Sequence, residues 1–351
     1  MAEGEDTTKI AFEFNVSKIK IAFFLTAMML PLGYMGIGYM VASASLSINP
    51  GCGMWSNNTP DNWTTDDDWE SFEPWNDSAE RIDIRKNLDV SNYQIDSYQN
   101  VSFSPRGDSE ITLKGWYVEV DINAPVVILT HGMPMNGKCK PEMLLIQGYL
   151  TEGGINTLSF DLRNYGESEV VDDYFAVGQI EYKDILGAYD WLITEKEYAP
   201  GQVGMSAFSA GGGAAIAFAE EPGIGAMWLD SAVLDFPLLV KNELGRLGYP
   251  EFFAGPAVRV GGWLIGVELD ARSPMEAATN AGDREVFLTH GKEDPRVSII
   301  HSENFEEEMN KEGGNVTTWY VSDRGHVDAI WGESDEYKSK LISFFKSSLN
   351  N

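Results

Sequence analysis

The stretch Ser206-Ala207-Phe208-Ser209-Ala210-Gly211-Gly212-Gly213 places two serines three residues apart in front of a run of glycines. It lies where an apolar, strand-like segment, 202–208, passes into a helix-like one, 210–219. A serine exposed on a sharp strand-to-helix turn needs small residues two places before and two places after it, because the backbone there is strained and crowded. Ser209 meets that requirement with Ala207 and Gly211. Ser206 does not: it sits inside the apolar run, has Phe208 two places on, and reads as structural.

Outward from this turn, β-branched apolar runs alternate with segments of helical period, the pattern of a mostly parallel sheet covered by helices on both faces. The strand candidates are 111–120, 126–130, 156–160, 202–208, 224–229, 285–289 and 316–321. Helix candidates are 141–151, 181–195, 210–219, 298–311 and 335–349. The Gly- and Pro-rich stretch 234–282 breaks the alternation and reads as a short cap inserted between two strands. No internal repeat is seen.

In open α/β sheets the chemistry sits just past the carboxyl ends of the strands. There the sequence offers Ser209, then Asp294 in His290-Gly291-Lys292-Glu293-Asp294-Pro295, then His326 in Asp323-Arg324-Gly325-His326. This is the order nucleophile, acid, base. Asp294 would fix the tautomer of His326, and His326 would take the proton of Ser209 and return it to the leaving group. The backbone N–H groups of Met133, after segment 126–130, and of Ala210 would receive the developing oxyanion. Each residue also has a plainer reading: Asp294 as a turn or cap residue before Pro295, with Glu293 as a neighbouring acid, and His326 as a loop histidine. Four features at four strand ends in the required order favour the joint reading. His131, His290 and His301 read as structural or surface residues.

Composition sets the surroundings. The 351 residues, 43% of them hydrophobic, suffice for a large core, and Lys+Arg 25 against Asp+Glu 54 gives a net charge of -29. Such a surface repels polyanions and argues against nucleic-acid partners. Serine chemistry needs no cofactor, and four scattered histidines make no metal cluster. Cys52 and Cys139 either pair as one disulfide or stay as two thiols. The sequons at Asn62, Asn76, Asn100 and Asn315 read as chance matches.

Residues 21–42, IAFFLTAMMLPLGYMGIGYMVA, form an uncharged run of the length a membrane-spanning helix needs. Lys9, Lys18 and Lys20 precede it and no basic residue follows until Arg81. Residues 1–20 are therefore expected on the cytoplasmic side and the bulk of the chain outside. A cleaved signal peptide is the rival, with Ala42-Ser43-Ala44 as a small-residue site, but the run exceeds a usual apolar core of about 7–15 residues. Residues 43–100, acidic and bearing Trp55, Trp63, Trp69 and Trp75, read as a stalk or loosely packed lead-in whose tryptophans either dock on the domain or lie near the bilayer.

Taken together, THGMPMNG (130–137), SFDLRNYGES (159–168), Glu181 and Asp184 of IEYKDI, AFSAGG (207–212), HGKEDPRV (290–297) and RGHV (324–327) resemble the α/β-hydrolase superfamily. Within it the sequence is most similar to serine-aminopeptidase-like and lysophospholipase-like esterases, over about 101–349. The resemblance implies Ser209 as nucleophile, Asp294 as acid, His326 as base, and Met133 and Ala210 as oxyanion donors. It also implies a structural turn at Asp161 and Arg163, with Asn164 where glycine is usual. Ala207 stands where the family carries its first glycine, and the cap matches no substrate-defining pattern. The expected activity is that of a membrane-anchored serine hydrolase acting on carboxylic esters, lipid-derived ones included. Phe252, Phe253, Val258, Val260, Trp263, Leu264 and Ile265 are then either an acyl-pocket lining or cap core. A peptidase or thioesterase on the same triad is the nearest alternative, and a non-catalytic hydrolase fold kept for binding is the more distant one.

Overall fold

The computed structural model describes residues 7–48, 51–65, 79–133 and 137–349. Trp69, Trp75 and the sequon at Asn76 lie outside the described residues. In chain order the elements are α1 (Thr7–Leu46), α2 (Ala79–Asn87), β1 (Gln99–Phe103), β2 (Leu113–Val118), β3 (Val126–Thr130), α3 (Pro141–Glu152), β4 (Asn156–Asp161) and α4 (Tyr182–Glu195). They continue with β5 (Val203–Phe208), α5 (Gly212–Glu220), β6 (Ile224–Asp230), α6 (Phe236–Arg246), α7 (Ala254–Ile265) and α8 (Glu276–Thr279). The chain closes with β7 (Glu285–Gly291), α9 (Ile300–Glu312), β8 (Asn315–Val321), α10 (Ala329–Gly332) and α11 (Ser334–Ser348).

One eight-stranded sheet runs β1-β2-β4-β3-β5-β6-β7-β8. β2 pairs antiparallel with both β1 and β4, and every other pairing is parallel. The central strands β3, β4 and β5 are buried at every position, as expected of strands covered on both faces. One core cluster joins the sheet to α4, α5, α8 and α9; the other joins it to α3, α10 and α11. This is the doubly covered α/β-hydrolase architecture.

β1 is the strand that the sequence pattern does not reveal. Gln99-Asn100-Val101-Ser102-Phe103 is an edge strand with only Phe103 fully buried, so it carries almost no apolar alternation. Its identity comes from pairing with β2, Gln99 opposite Tyr117 and Phe103 opposite Leu113.

The described part of the lead-in is packed rather than loose. Trp55 and Trp63 are buried, Cys52 and Cys139 form a disulfide, and the Asn58 side chain donates to the Cys139 carbonyl at 3.2 Å. Trp63 belongs to the same core cluster as α3 and α11. Burying two indoles outweighs the ordering of a short polar segment. Upstream, the chain leaving α1 is stitched to 173–175: Ile48 N–H donates to Asp173 O at 3.1 Å and Phe175 N–H to Leu46 O at 2.9 Å. The disulfide bridges residues 87 apart, and the chain-entropy model puts a link of that span at about 4–5 kcal/mol. Removing it as Cys52→Ser with Cys139→Ser is expected to lower the urea midpoint of the detergent-solubilised chain. An unchanged midpoint would mean that the lead-in contributes nothing to the folded domain.

Between β6 and β7 the insertion forms the cap from α6 and α7. Asp235 caps α6 through Leu238 N–H at 2.9 Å, with Pro237 in the first turn where a missing N–H costs nothing. Phe236, Val240, Leu244, Ala257 and Val258 form its own cluster, joined by Ala42 and Leu46 of α1. The insertion ends sooner than the sequence reading at 282, since Ala277, Ala278 and Ala281 pack into the main core.

Candidate active site

β5 ends at Phe208, and the next residue, Ser209, adopts φ 49°. A non-glycine residue in the left-handed region costs energy and persists only where its neighbours impose it. Here they do: Ser209 N–H donates to Asp230 O at 3.0 Å, and Val233 N–H donates to Ser209 O at 2.7 Å. The glycines that follow serve close approach. A Cβ on Gly212 would meet Val233 O at 2.8 Å, and one on Gly211 would meet the Ala207 methyl at 3.3 Å. Ala207 is thus accommodated in place of the usual glycine because the residue facing it has no side chain. Ser206 is fully buried on β5 and its hydroxyl finds no partner among the described residues.

Ser209, His326 and Asp294 come together although 117 and 32 residues separate the successive pairs. His326 Nε2 lies 2.8 Å from Ser209 Oγ, and His326 Nδ1 lies 2.7 Å from Asp294 Oδ2. The carboxylate can only accept, so Nδ1 carries the proton and Nε2 faces the serine hydroxyl as a base. Gly291 makes this meeting feasible: a Cβ there would sit 2.3 Å from the carbonyl oxygens of Arg324 and Gly325. Glu293 N–H also ties the two loops, donating to Arg324 O at 2.9 Å. The Glu293 side chain is exposed, and it is the Asp294 side chain that is buried against the histidine.

Asp294 is held in place from all sides. Its Oδ1 accepts from Arg296 N–H at 2.8 Å and Val297 N–H at 2.9 Å. His290 Nε2 lies 2.8 Å from Val297 O and 3.3 Å from Asp294 Oδ2, while His290 Nδ1 faces Ser302 Oγ at 2.8 Å. Burial alone would raise the Asp294 pKa, but the His326 ring and the hydrogen bonds from His290 and His326 hold it well below the usual carboxylate range. His290 is therefore a positioning residue that the sequence reading left as structural or surface. Its only sequence signal is the four-residue spacing to Asp294.

The other two histidines are structural. Buried His131 accepts Leu162 N–H at Nε2 (3.1 Å), so its Nδ1 donates to Gly132 O (2.7 Å), and burial depresses its basicity. His301 Nδ1 accepts from Leu234 and Asp235 N–H at 3.3 and 3.2 Å, pinning the start of the cap; burial pushes its pKa down to about 4. Met133 and Ala210 each lie three residues past paired strand positions, Thr130 of β3 and Ala207 of β5. Both leave the same edge of the sheet.

A second buried acid lies behind the elbow. Asp230, at the end of β6, accepts from Ser231 Oγ and Tyr337 OH, both at 3.0 Å, and burial pushes its pKa up to about 7. Because that value exceeds the ordinary 3.8, the folded protein keeps a proton that the unfolded chain has already released. Asp230 should therefore contribute stability that is lost as the pH rises from about 4 to about 7. Asp230→Asn is expected to remove that contribution, leaving Glu181, also raised by burial to about 7, acting in the same direction and His301, lowered to about 4, in the opposite one. Thermal unfolding in detergent at about pH 5 and pH 8 measures it; an identical pH dependence in wild type and variant would refute it.

The turn after β4 is likewise built from buried charge. Asp161 accepts Lys138 Nζ at 2.6 Å and backbone N–H groups of Lys138 and Glu167. Arg163 donates through Nε and its backbone N–H to the buried Asp184, both at 2.9 Å. Asn164 takes φ 69°, tolerable for Asn, and its Oδ1 accepts from Val171 N–H at 2.7 Å. A cavity of about 210 Å³ opens under the cap, with Val177, Val233, Leu234, Phe236 and Leu269 in its wall beside Asp235 and Asp270. None of the seven cap residues expected to line an acyl pocket lines this cavity. Val258 is buried in the cap cluster, Phe253, Leu264 and Ile265 pack on it, and Phe252 and Trp263 face outward.

The model of the prolyl oligopeptidase family matches residues 163–351. No curated protein matches the chain by sequence. Among solved structures, the chain resembles an esterase of Pyrococcus furiosus at 23% identity and TM-score 0.58, covering 75% of this chain and 95% of that one. It also resembles the Pyrococcus horikoshii acylaminoacyl peptidase at 21% identity and TM-score 0.56, covering 72% of this chain and 42% of that one. A third is Est1E from Butyrivibrio proteoclasticus, solved with ferulic acid, at 17% identity and TM-score 0.53, covering 71% and 98%. At these identities the likeness establishes the shared fold.

Proposed function

The chain belongs to the prolyl oligopeptidase family and is a serine hydrolase of the esterase and peptidase type; from that premise we propose that it is a membrane-anchored esterase acting on lipid-derived carboxylic esters through Ser209, His326 and Asp294. The observation that carries the assignment is the continuous hydrogen-bonded line from Asp294 through His326 to a serine held at positive φ. His326 Nε2 takes the proton as Ser209 Oγ bonds to the ester carbonyl carbon, and the N–H groups of Met133 and Ala210 receive the oxyanion. Collapse expels the alcohol, protonated by His326, and leaves an acyl-enzyme. Water, deprotonated by the same imidazole, then releases the acid and restores the hydroxyl.

The apolar stretch Phe23–Ser43 of α1 is long enough to cross a bilayer. The nearest basic residues, Lys9, Lys18 and Lys20, lie on its N-terminal side and none follows until Arg81, which supports a hydrolase domain outside the cytoplasm and residues 1–20 within it. The cavity under the cap, with Val177, Val233, Leu234, Phe236 and Leu269 in its wall, supports an ester with an apolar acyl group. The near-complete coverage of the esterase chain, against 42% of the peptidase chain, points the same way. One observation favours a peptidase instead: Asp270 in the cavity wall offers a carboxylate to a substrate amine.

A fluorophosphonate probe on the full chain tests the nucleophile. Wild type and Ser206→Ala should label, and Ser209→Ala should not. Folded wild type that never labels would return the protein to the non-catalytic reading. Rates on nitrophenyl esters of increasing chain length, beside aminoacyl nitroanilides, then separate esterase from peptidase.

A further inference from the structure

α1 does not stand apart from the domain it carries; its last turns lie along the cap helix α7. Tyr34 OH donates to Phe252 O at 2.9 Å, and its ring packs against those of Phe252 and Phe253. Farther along, a Cβ on Gly38 would meet Pro256 backbone atoms at 2.9 Å, and one on Gly261 would meet Leu46 at 2.9 Å and Ala42 at 3.3 Å. The contacts advance together along both helices, so α7 runs beside α1 from Tyr34 to Leu46.

This packing conflicts with a span that leaves the bilayer before it meets the cap. Between Lys20 and Tyr34 lie only the 13 residues 21–33, about 20 Å of helix against a hydrocarbon layer of about 30 Å. The missing depth has to come from the part of α1 that α7 covers. The outward face of α7 suits such a place. Phe252 and Trp263 are 64% and 68% exposed, Arg259 is exposed between them, and Leu247 and Tyr249 add 57% and 56% exposure on the preceding turn. In a chain with 54 acidic residues, 252–267 contain none. Aromatic residues flanking one arginine, with no carboxylate, suit a face that meets the membrane interface, and because α7 runs beside α1 its Phe252 end reaches deepest into the leaflet.

Resting on the reading that α1 spans the membrane, we propose that the cap is itself a membrane-binding element: α7 and the turn before it bed the face formed by Phe252, Arg259 and Trp263 in the leaflet on the hydrolase side. The cap then holds the cavity it covers close to the lipid surface. The occupant of this face is lipid rather than a second copy of the chain.

The test uses the full chain in vesicles of phosphatidylcholine with a minority of phosphatidylglycerol. Trp263→Cys carries a bimane fluorophore, and Ile122→Cys, exposed on the loop before β3 at the opposite end of the sheet, serves as the reference. The expected result is strong quenching at position 263 by a spin label on the upper acyl chain and loss of most quenching by aqueous iodide, with the reverse at position 122. Alkaline carbonate extraction of the same vesicles reports on the anchor. Chain that stays in the vesicles while position 263 behaves like position 122 overturns the proposal and leaves the anchor standing. Protection from both quenchers identifies a protein contact and also overturns it. Release of the chain by carbonate removes the spanning helix and the proposal together.

Discussion

Ser209→Ala is expected to cut kcat on a short-chain nitrophenyl ester about a millionfold, the loss seen when a triad nucleophile is removed. Asp294→Asn should cost about ten thousandfold by presenting the wrong tautomer of His326 to the serine. Glu293→Gln should stay within about twofold, because its side chain is exposed while Asp294 makes the 2.7 Å contact. The three variants form one test of the proposed triad. Removing any single member of a cooperating triad forfeits most of the catalysis, so the Ser209 and Asp294 losses should not multiply in the double variant. Retention of more than about one per cent of kcat by Ser209→Ala would exclude it as nucleophile. A large loss in Glu293→Gln would move the acid one residue upstream. Ester hydrolysis can proceed with less oxyanion stabilisation than amide hydrolysis, so the same variants on aminoacyl nitroanilides also show whether one site serves both substrates.

The second large effect concerns stability. Arg163→Met strips the charged partner from Asp184, which is fully buried and accepts from the Arg163 side chain at both Oδ1 and Oδ2. Leaving a buried carboxylate uncompensated is expected to cost about 3–5 kcal/mol, whereas replacing both partners, Arg163→Met with Asp184→Leu, should restore much of it. Urea unfolding of the detergent-solubilised chain reads both. A loss below about 1 kcal/mol for Arg163→Met would show that water or another group reaches Asp184. The consequence is local as well as global. The pair anchors the turn after β4 to the start of α4, and that turn borders the His131 loop through Leu162 N–H. Kinetics of the double variant should therefore be close to wild type, while the single variant loses folded protein before it loses chemistry.

What the sequence determined by itself is the central sheet, and with it the candidate site residues along its edge. Strands β3, β5 and β6 were legible because burial on both faces writes them as largely apolar runs. Ser209, Asp294 and His326 were legible because each follows such a run, and the elbow announces itself in Ala207 and Gly211. The tertiary structure decided whatever depends on partners distant in the chain. β1 became a strand through pairing with β2 rather than through its own five residues, of which one is fully buried. The sequence reading favoured Asp294 with Glu293 as the neighbouring acid, and the loop path from Gly291 turns the Asp294 side chain inward while Glu293 stays exposed. His290 became a support for Asp294 only once β7 and α9 closed over it. The lead-in was read as loose because its polar composition hides an indole, Trp63, and a cysteine, Cys52, that join the core cluster of α3 and α11. The seating of α1 on the cap had no local signal at all. An apolar helix looks the same whether lipid or protein covers it, and only the shape of the facing surface, Gly38 against Pro256 and Ala42 against Gly261, selects its neighbour.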